Sequence, residues 1–320
     1  MTRDQAILFT AALACVPVLA GMPAICAAAY PDKPISVVVA FPAGGGGDIG
    51  VRQTLGAVSN RTGFQFVVDN RAGAGGLIGA SFAAKAAPDG YTIFHGTATT
   101  LAIAPAFRRK DMPYDPIRDF TPISHIGNTT VVILANADLP ANNVTELIAL
   151  AKKQPGTLSY GTNGIGGTYH LEMELFKQQF GINLEQVPYK TSIEAINALV
   201  AGEIPLVYAP VGAVMPLVRA GKMRLLVVLD NKRYPDLPNV PAMGEEISGY
   251  QRIPTGLNFY GPAGLPPAIS RRIHAEVVKA LQSPEVPPKL KEFTFFGIGT
   301  SPEALAEQQV KDYEIGRAHV

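Results

Sequence analysis

The sequence predicts an α/β protein of two lobes, each built on a mainly parallel sheet. Three observations lead there. Short apolar strands alternate with helical segments from Tyr30 onward, the pattern of a sheet covered by helices on both faces. The alternation runs in two series, separated by a Pro- and Asp-rich stretch from Arg108 to Pro122 that reads as irregular. The length of 320 residues suits two lobes better than one.

The first series opens with Ile35–Phe41, a continuous apolar strand, and a helix over Ile49–Asn60 with Asp48 in the position of its N-cap. Phe66–Asp69 follows as a strand. Leu77–Ala87 is a helix of small residues stopped by Pro88-Asp89-Gly90, and Tyr91–His95 is a third strand. Thr130–Ala135 is a strand, and Asn143–Gln154 an amphipathic helix that ends at Pro155-Gly156. The second series reads strand Leu158–Gly161, helix Tyr169–Phe180, strand Leu184–Val187, helix Ser192–Ala201 and strand Leu206–Ala209. Helix Ala213–Ala220 and strand Leu225–Leu229 complete it. Beyond a proline-rich loop, Leu257–Tyr260 is a strand. Pro267–Gln282 and Pro302–Tyr313 are helices, with a short helix between Pro284 and Leu290.

Composition narrows the classes of function. The formal net charge is +1, so there is no electrostatic footprint for nucleic acid. Residues 1–29 have the plan of an export signal: an apolar run from Ala6 to Ala20, then Ala27-Ala28-Ala29 as a cleavage site, giving a mature start at Tyr30. Pro17, Gly21 and Pro23 interrupt it as a membrane span. Both cysteines, Cys15 and Cys26, fall inside this segment. The mature chain is therefore expected to carry no disulfide, thiolate metal ligand or cysteine nucleophile. The final residues Glu314–Val320 match a reading frame of a common sequencing adapter and are expected to be non-native.

Two glycine loops stand out. Phe41-Pro42-Ala43-Gly44-Gly45-Gly46-Gly47-Asp48 links a strand to a helix, and Gly164-Ile165-Gly166-Gly167-Thr168 opens another helix far along the chain. Bare amides at a helix start attract an anion, because unpaired N–H groups and the helix dipole both favour negative charge. The first loop lacks the Gly-Lys-Ser/Thr ending that a nucleotide phosphate site requires. A flexible turn and a carboxylate site both fit it. Asp48 fits a helix cap or a partner for a ligand amine. The run Gly73–Gly79 departs from a dinucleotide fingerprint, with Ile78 at the third glycine position, and reads as a close-packed loop.

Around the second loop, Thr162, Asn163 and Thr168 can hold an oxygen-rich ligand directly or through water. His170 and Glu174 lie one helical turn apart. They lack the further ligands a metal needs, so a hydrogen-bonded structural histidine is the preferred reading. Lys190 either steers an anion or forms a surface ion pair. No cofactor, metal or catalytic residue is expected.

Taken together, the motifs from Tyr30 to Tyr313 resemble the solute receptors of tripartite tricarboxylate transporters, also called the Bug family. The anchors are Tyr30–Ile35, Phe41–Asp48, Asn70–Gly76, Pro88–Tyr91, Tyr114–Pro116, Asp119–Ile123, Gly161–His170, Val187–Lys190 and Pro262–Gly264. The resemblance implies a periplasmic-binding-protein (type II, Venus-flytrap) fold that crosses twice between lobes, near Val131–Ala135 and Leu226–Asp230. Lobe one would comprise residues 30–133 and 229–313, and lobe two 134–228. It implies a monomeric periplasmic receptor that holds a small organic carboxylate and presents it to membrane permease subunits. Carried onto this chain, the ligand-binding residues would be Phe41, Ala43, Gly44, Gly45, Gly46, Gly47, Asp48, Thr97, Thr162, Asn163, Gly166, Thr168, His170 and Lys190. The chain departs from the family pattern at Thr191, where Gly is usual, at Ala209, where Asp is common, and at Gly256, where Trp is frequent. The alternatives are an enzyme acting on a carboxylate in the same cleft, with His170 or Asp48 as its base, and a ligand sensor for a signalling partner.

Overall fold

The structure, a computed structural model, describes residues 30–107, 110–165, 168–248, 250, 256–292 and 295–318. The expected export signal over residues 1–29 lies outside them, as does Gly166.

The elements run in the expected αβ order. β1 (Ile35–Val39), α1 (Gly46–Thr62), β2 (Phe66–Asn70), α2 (Leu77–Ala84) and β3 (Thr92–Gly96) come first. A π-helical turn over Thr99–Ile103 leads into α3 (Ala104–Phe107) and β4 (Phe120–Thr129). Next come β5 (Val131–Asn136), α4 (Val144–Lys153), β6 (Ser159–Thr162), α5 (Thr168–Phe180), β7 (Glu185–Pro188) and α6 (Ser192–Ala201). β8 (Leu206–Pro210), α7 (Val211–Arg219), β9 (Met223–Val228) and α8 (Met243–Glu246) follow. β10 (Gly256–Pro262), α9 (Pro267–Leu281), α10 (Val286–Glu292), β11 (Phe295–Thr300) and α11 (Pro302–Ala318) close the chain. α11 runs on through residues 314–318.

There are two sheets. One is six-stranded, in the order β11-β4-β10-β3-β1-β2; the other is five-stranded, in the order β7-β6-β8-β5-β9. Each is mixed. β1, β2 and β3 run parallel, as do β6, β7 and β8. β10 and β5, the first strands after each change of sheet, pair antiparallel with their neighbours.

Alternation along β1 explains the layering. Val37 and Val39 face one core with Val51 and Leu55 of α1 and Ile273 and Val277 of α9. Val38 and Ala40 face the other with Leu77, Ala80, Phe94 and Leu305. Both faces of the strand are buried, hence its unbroken apolar run. In the second sheet Ile133 joins Leu147 and Met173, while Val132 and Leu134 join Ile196 and Val214.

The crossings have different forms. β4 belongs to the first sheet and β5 to the second, and only the buried Thr130 separates them. The return is long. Leu229, Tyr234, Leu237 and Met243 are buried in the cores of the second sheet, and Val228 bridges Ala242. This apolar segment after β9 thus packs where β9 does, although the sequence reading begins the second part of lobe one at residue 229.

Two strands, β4 and β11, stand where the sequence pattern predicts none. β4 contains Pro122, Ser124, His125, Gly127 and Asn128, a composition that signals a loop. It is nevertheless flanked by β10 and β11, and two of its polar side chains find distant partners: His125 Nδ1 meets Asn258 Oδ1 of β10 at 2.5 Å and Ser124 Oγ meets His274 Nδ1 of α9 at 3.1 Å. β11 carries Gly297 and Gly299, which hid its period.

Candidate functional site

The first glycine loop leaves the C-terminal end of β1 and delivers the chain into α1. The residue at the helix N-cap is Gly45, with extended backbone and no side-chain cap. Asp48 is therefore not the cap, contrary to its expected place. It sits in the first turn, 2% exposed, and turns back into the loop. Its Oδ2 accepts from the Gly44 amide at 2.9 Å and from Arg52 Nε at 2.9 Å, while Oδ1 accepts from Asn70 Nδ2 at 3.0 Å. Asn70 also donates to the Phe41 carbonyl at 3.0 Å and accepts from Arg52 at 3.0 Å. Burial opposes the charge on Asp48. The bonds from Arg52, Gly44 and Asn70 outweigh it and hold the carboxyl below its usual range.

This network sets the loop's shape. Gly44 takes a φ of 81°, and Pro42 to Gly46 remain exposed. The first-turn amides of Gly46 and Gly47 have no capping side chain to meet them. Behind Gly47 lies His95, at the end of β3 and fully buried. Its Nδ1 faces the Asn258 carbonyl at 3.4 Å, which requires the proton on Nδ1. The other nitrogen, Nε2, is an acceptor without a hydrogen-bond partner among the described residues. It lies 2.8 Å from where a Cβ on Gly47 would stand. Burial pushes the imidazole down to about 4, although Asn258 and Asp48 pull it upward. His95 is thus neutral near pH 7.

Just beyond, Thr97 closes on Thr100: the Thr97 amide donates to Thr100 Oγ1 at 3.1 Å and Thr100 Oγ1 donates to the Thr97 carbonyl at 3.1 Å. This turn begins the π-helical segment, and Ala98 and Ile103 of that segment pack against Leu171 and Leu175 of α5. The contact has a geometric consequence. The segment after β3 belongs to the first sheet, and α5 follows the second glycine loop. Each stretch follows the C-terminal end of a parallel strand, β3 in the first sheet and β6 in the second, so the two halves touch near those ends.

In the second loop Thr162 is buried, accepting from Gln186 Nε2 at 2.8 Å and donating to the Gly164 carbonyl at 3.3 Å. Gly164 has a φ of 118°. Asn163 Oδ1 is buried without a partner among the described residues. Thr168 opens α5. His170 lies on the first turn of α5, 3.7 Å from Glu174. Glu174 in turn binds Lys177 and Tyr160, each at 2.7 Å. Burial holds the imidazolium of His170 below its usual range, against the attraction of Glu174. Lys190 is exposed at the end of β7, and its amide donates to Glu194 at 3.0 Å. No group of three or more potential metal ligands occurs among the described residues.

The structure thus brings the segment just after Thr97 against α5, the helix that Thr168 opens. His95, Asn70 and Arg52, which shape the first loop, were not anticipated. Only the Asn70-Arg71 motif carried a signal for any of them. The Gly73–Gly79 run is a packing device as read: a Cβ on Gly79 would come within 3.0 Å of Ala40 and of the Arg71 carbonyl.

Comparison with known proteins places this geometry. The sequence model described as tripartite tricarboxylate transporter family receptor matches residues 51–313. The protein BugT of Bordetella pertussis is 33% identical over 259 residues, spanning 80% of this chain and 79% of BugT. Among solved structures, Rpa4515 of R. palustris with adipate is 32% identical with a TM-score of 0.80, covering 91% of this chain and 97% of that one. MatC from Rhodopseudomonas palustris with bound malate is 26% identical with a TM-score of 0.81, covering 91% and 99%. With two α/β halves in the periplasmic-binding-protein arrangement and a family match across most of its length, the chain belongs to the tripartite tricarboxylate transporter receptor family.

Proposed function

We propose that the protein is a periplasmic receptor that captures a small organic carboxylate between its lobes and delivers it to the permease of a tripartite transporter. The observation that carries this reading is the contact between the two halves near the ends of β3 and β6. The contact of α5 with the segment after β3 supports placing the uncapped start of α1 and the loop that opens α5 on one cleft. Amides of Gly46 and Gly47 would take one side of the carboxylate, and the Thr162–Thr168 loop the other. Phe41, Ala43, Thr97, Asn163, His170 and Lys190 would line or steer. Relatives with bound adipate and malate support a carboxylate ligand. No helix among the described residues is long and apolar enough to cross a membrane.

A ligand touching both lobes binds the closed form better than the open one and so shifts the population toward closure. The permease would then read the loaded receptor by shape. Catalysis finds less support. Asp48 spends its lone pairs within the protein, and His170 stands beside the Glu174–Lys177 pair.

Native mass spectrometry of the purified protein tests the reading. An intact small carboxylate, released unchanged after prolonged incubation, is expected. Chemical conversion of it would favour the enzyme, and the absence of affinity for any carboxylate would end the proposal.

A further inference from the structure

An edge strand presents a row of unpaired amides and carbonyls, which native proteins usually blunt. Among the described residues the two sheets have four such edges, and three are blunted. β7 is four residues long, begins with Glu185 and ends with Pro188. β9 is bridged by Ala242 at Val228. β11 shifts register between Gly297 and Thr300, with Gly299 at a φ of 68°.

β2 is the fourth. It ends the six-stranded sheet, contains no proline and keeps an unbroken register with β1. The Ile35 amide donates to the Gln65 carbonyl, and the Arg71 amide to the Val39 carbonyl. Odd-numbered residues of β2 therefore bond inward, and Phe66 and Val68 turn their backbone groups outward. The side chains of Phe66 and Val68 pack on the core under α1, which leaves Val67 and Asp69 on the face that α2 covers. Arg71 ties that face to α2: it pairs with Asp69 at 2.6 Å and lays its guanidinium over Phe82. Ile78 stands one helical turn before Phe82. Val67, Ile78 and Phe82 are 57%, 54% and 40% exposed. An open strand edge thus carries an apolar rim, and the strand's one charge is already paired.

We propose that this edge pairs with the same edge of a second copy, joining the two first sheets into one continuous sheet. Identical strands related by a two-fold axis perpendicular to the sheet run antiparallel, and the interface closes on itself. An axis at Val67 sets Val67 against its own copy, Phe66 against Val68 and Asp69 against Gln65. Apolar residues then meet apolar ones, and the two carboxylates stay apart. An axis at Val68 sets Val67 against Asp69 instead, a poorer match. The formal net charge of +1 leaves little repulsion between copies. The family resemblance implies a monomer; the β2 edge argues for a pair. This inference goes beyond the receptor reading and does not rest on it.

Sedimentation velocity and engineered cross-linking of the exported protein test it. At about 50 µM the parent should sediment at twice the monomer mass. Val67→Lys should weaken the pair at least about tenfold while keeping the parent's circular dichroism, because a charge on an open edge opposes strand pairing without touching the core. Val67→Cys should form a covalent dimer under mild oxidation, since opposed residues of a non-hydrogen-bonded pair have Cα atoms about 4.5 Å apart, within disulfide reach. Ile298→Cys, at the opposite edge of the same sheet, should cross-link at least about tenfold more slowly. A parent that is monomeric at that concentration overturns the inference. So does a pair that Val67→Lys leaves intact, or cross-linking at Val67 no faster than at Ile298. Carboxylate affinity, measured separately, decides the receptor reading whichever way these results fall.

Discussion

Asn70 uses one side-chain amide to hold both ends of the first glycine loop, donating to the Phe41 carbonyl where the loop begins and to Asp48 Oδ1 where it ends, each at 3.0 Å. The loop's shape thus depends on a residue from the neighbouring strand.

Asn70→Ala is expected to cost about 1–3 kcal/mol, because a buried carboxylate loses a donor and a carbonyl is left open. Asp48→Ala should cost a similar amount and weaken ligand binding through the loop. Chemical denaturation and calorimetry on both variants check this. The pH sign is fixed by the depressed carboxyl of Asp48. Its stabilisation is complete above the unfolded value near 3.8 and disappears as pH falls through the folded value. Asp48→Ala should therefore be less sensitive to acid in that range than the parent.

His95 predicts a second pH effect. Its folded value, about 4, lies below the ordinary 6.5. Between those values the unfolded chain takes up a proton that the folded protein refuses, so stability falls as pH drops from 6.5 and levels off below 4. The full loss is about 3 kcal/mol. His95→Gln should remove that part of the slope, measured as unfolding midpoints from pH 4 to 7. Parallel slopes in parent and variant would show that His95 is not the group responsible.

Three glycines should respond differently to alanine. Gly47→Ala places a methyl 2.8 Å from His95 Nε2 and should disturb the loop and binding together. Gly44→Ala meets open space but keeps a φ of 81°, costing about 1–2 kcal/mol. Gly56→Ala, inside α1 with nothing within 4 Å, should stabilise by about 0.5–1 kcal/mol. Thermal unfolding of the three variants gives the order.

Leu175→Ala trims the contact between α5 and the π-helical turn. It should lower ligand affinity roughly fivefold by removing apolar contact that favours the closed form. Calorimetry reads the affinity, and X-ray scattering should show a larger radius of gyration without ligand. An unchanged affinity would mean that this contact persists in both forms.

Much of the architecture was legible in the sequence because buried parallel strands are written as continuous apolar runs. β1 and the helix Ser192–Ala201 stand where periodicity puts them. β4 and β11 were not legible. β4 holds His125 and Ser124 through distant partners, Asn258 and His274, and glycines interrupt the period of β11. Local composition carries no trace of such pairing. The glycine loops were visible as candidates, but Asp48's inward turn was not. That turn depends on Asn70, 22 residues away in sequence and adjacent only once β1 and β2 pair.

Thr130 is the whole of the first connection between the halves: Val131 and Thr129 on either side of it are already fixed in opposite ladders, and its own carbonyl accepts the Val211 amide at 3.0 Å. A joint this short gives little room for sliding, so any motion of the halves must be a swing about a near-fixed axis. A small displacement far from Thr130 is thereby carried along the full length of the lobe.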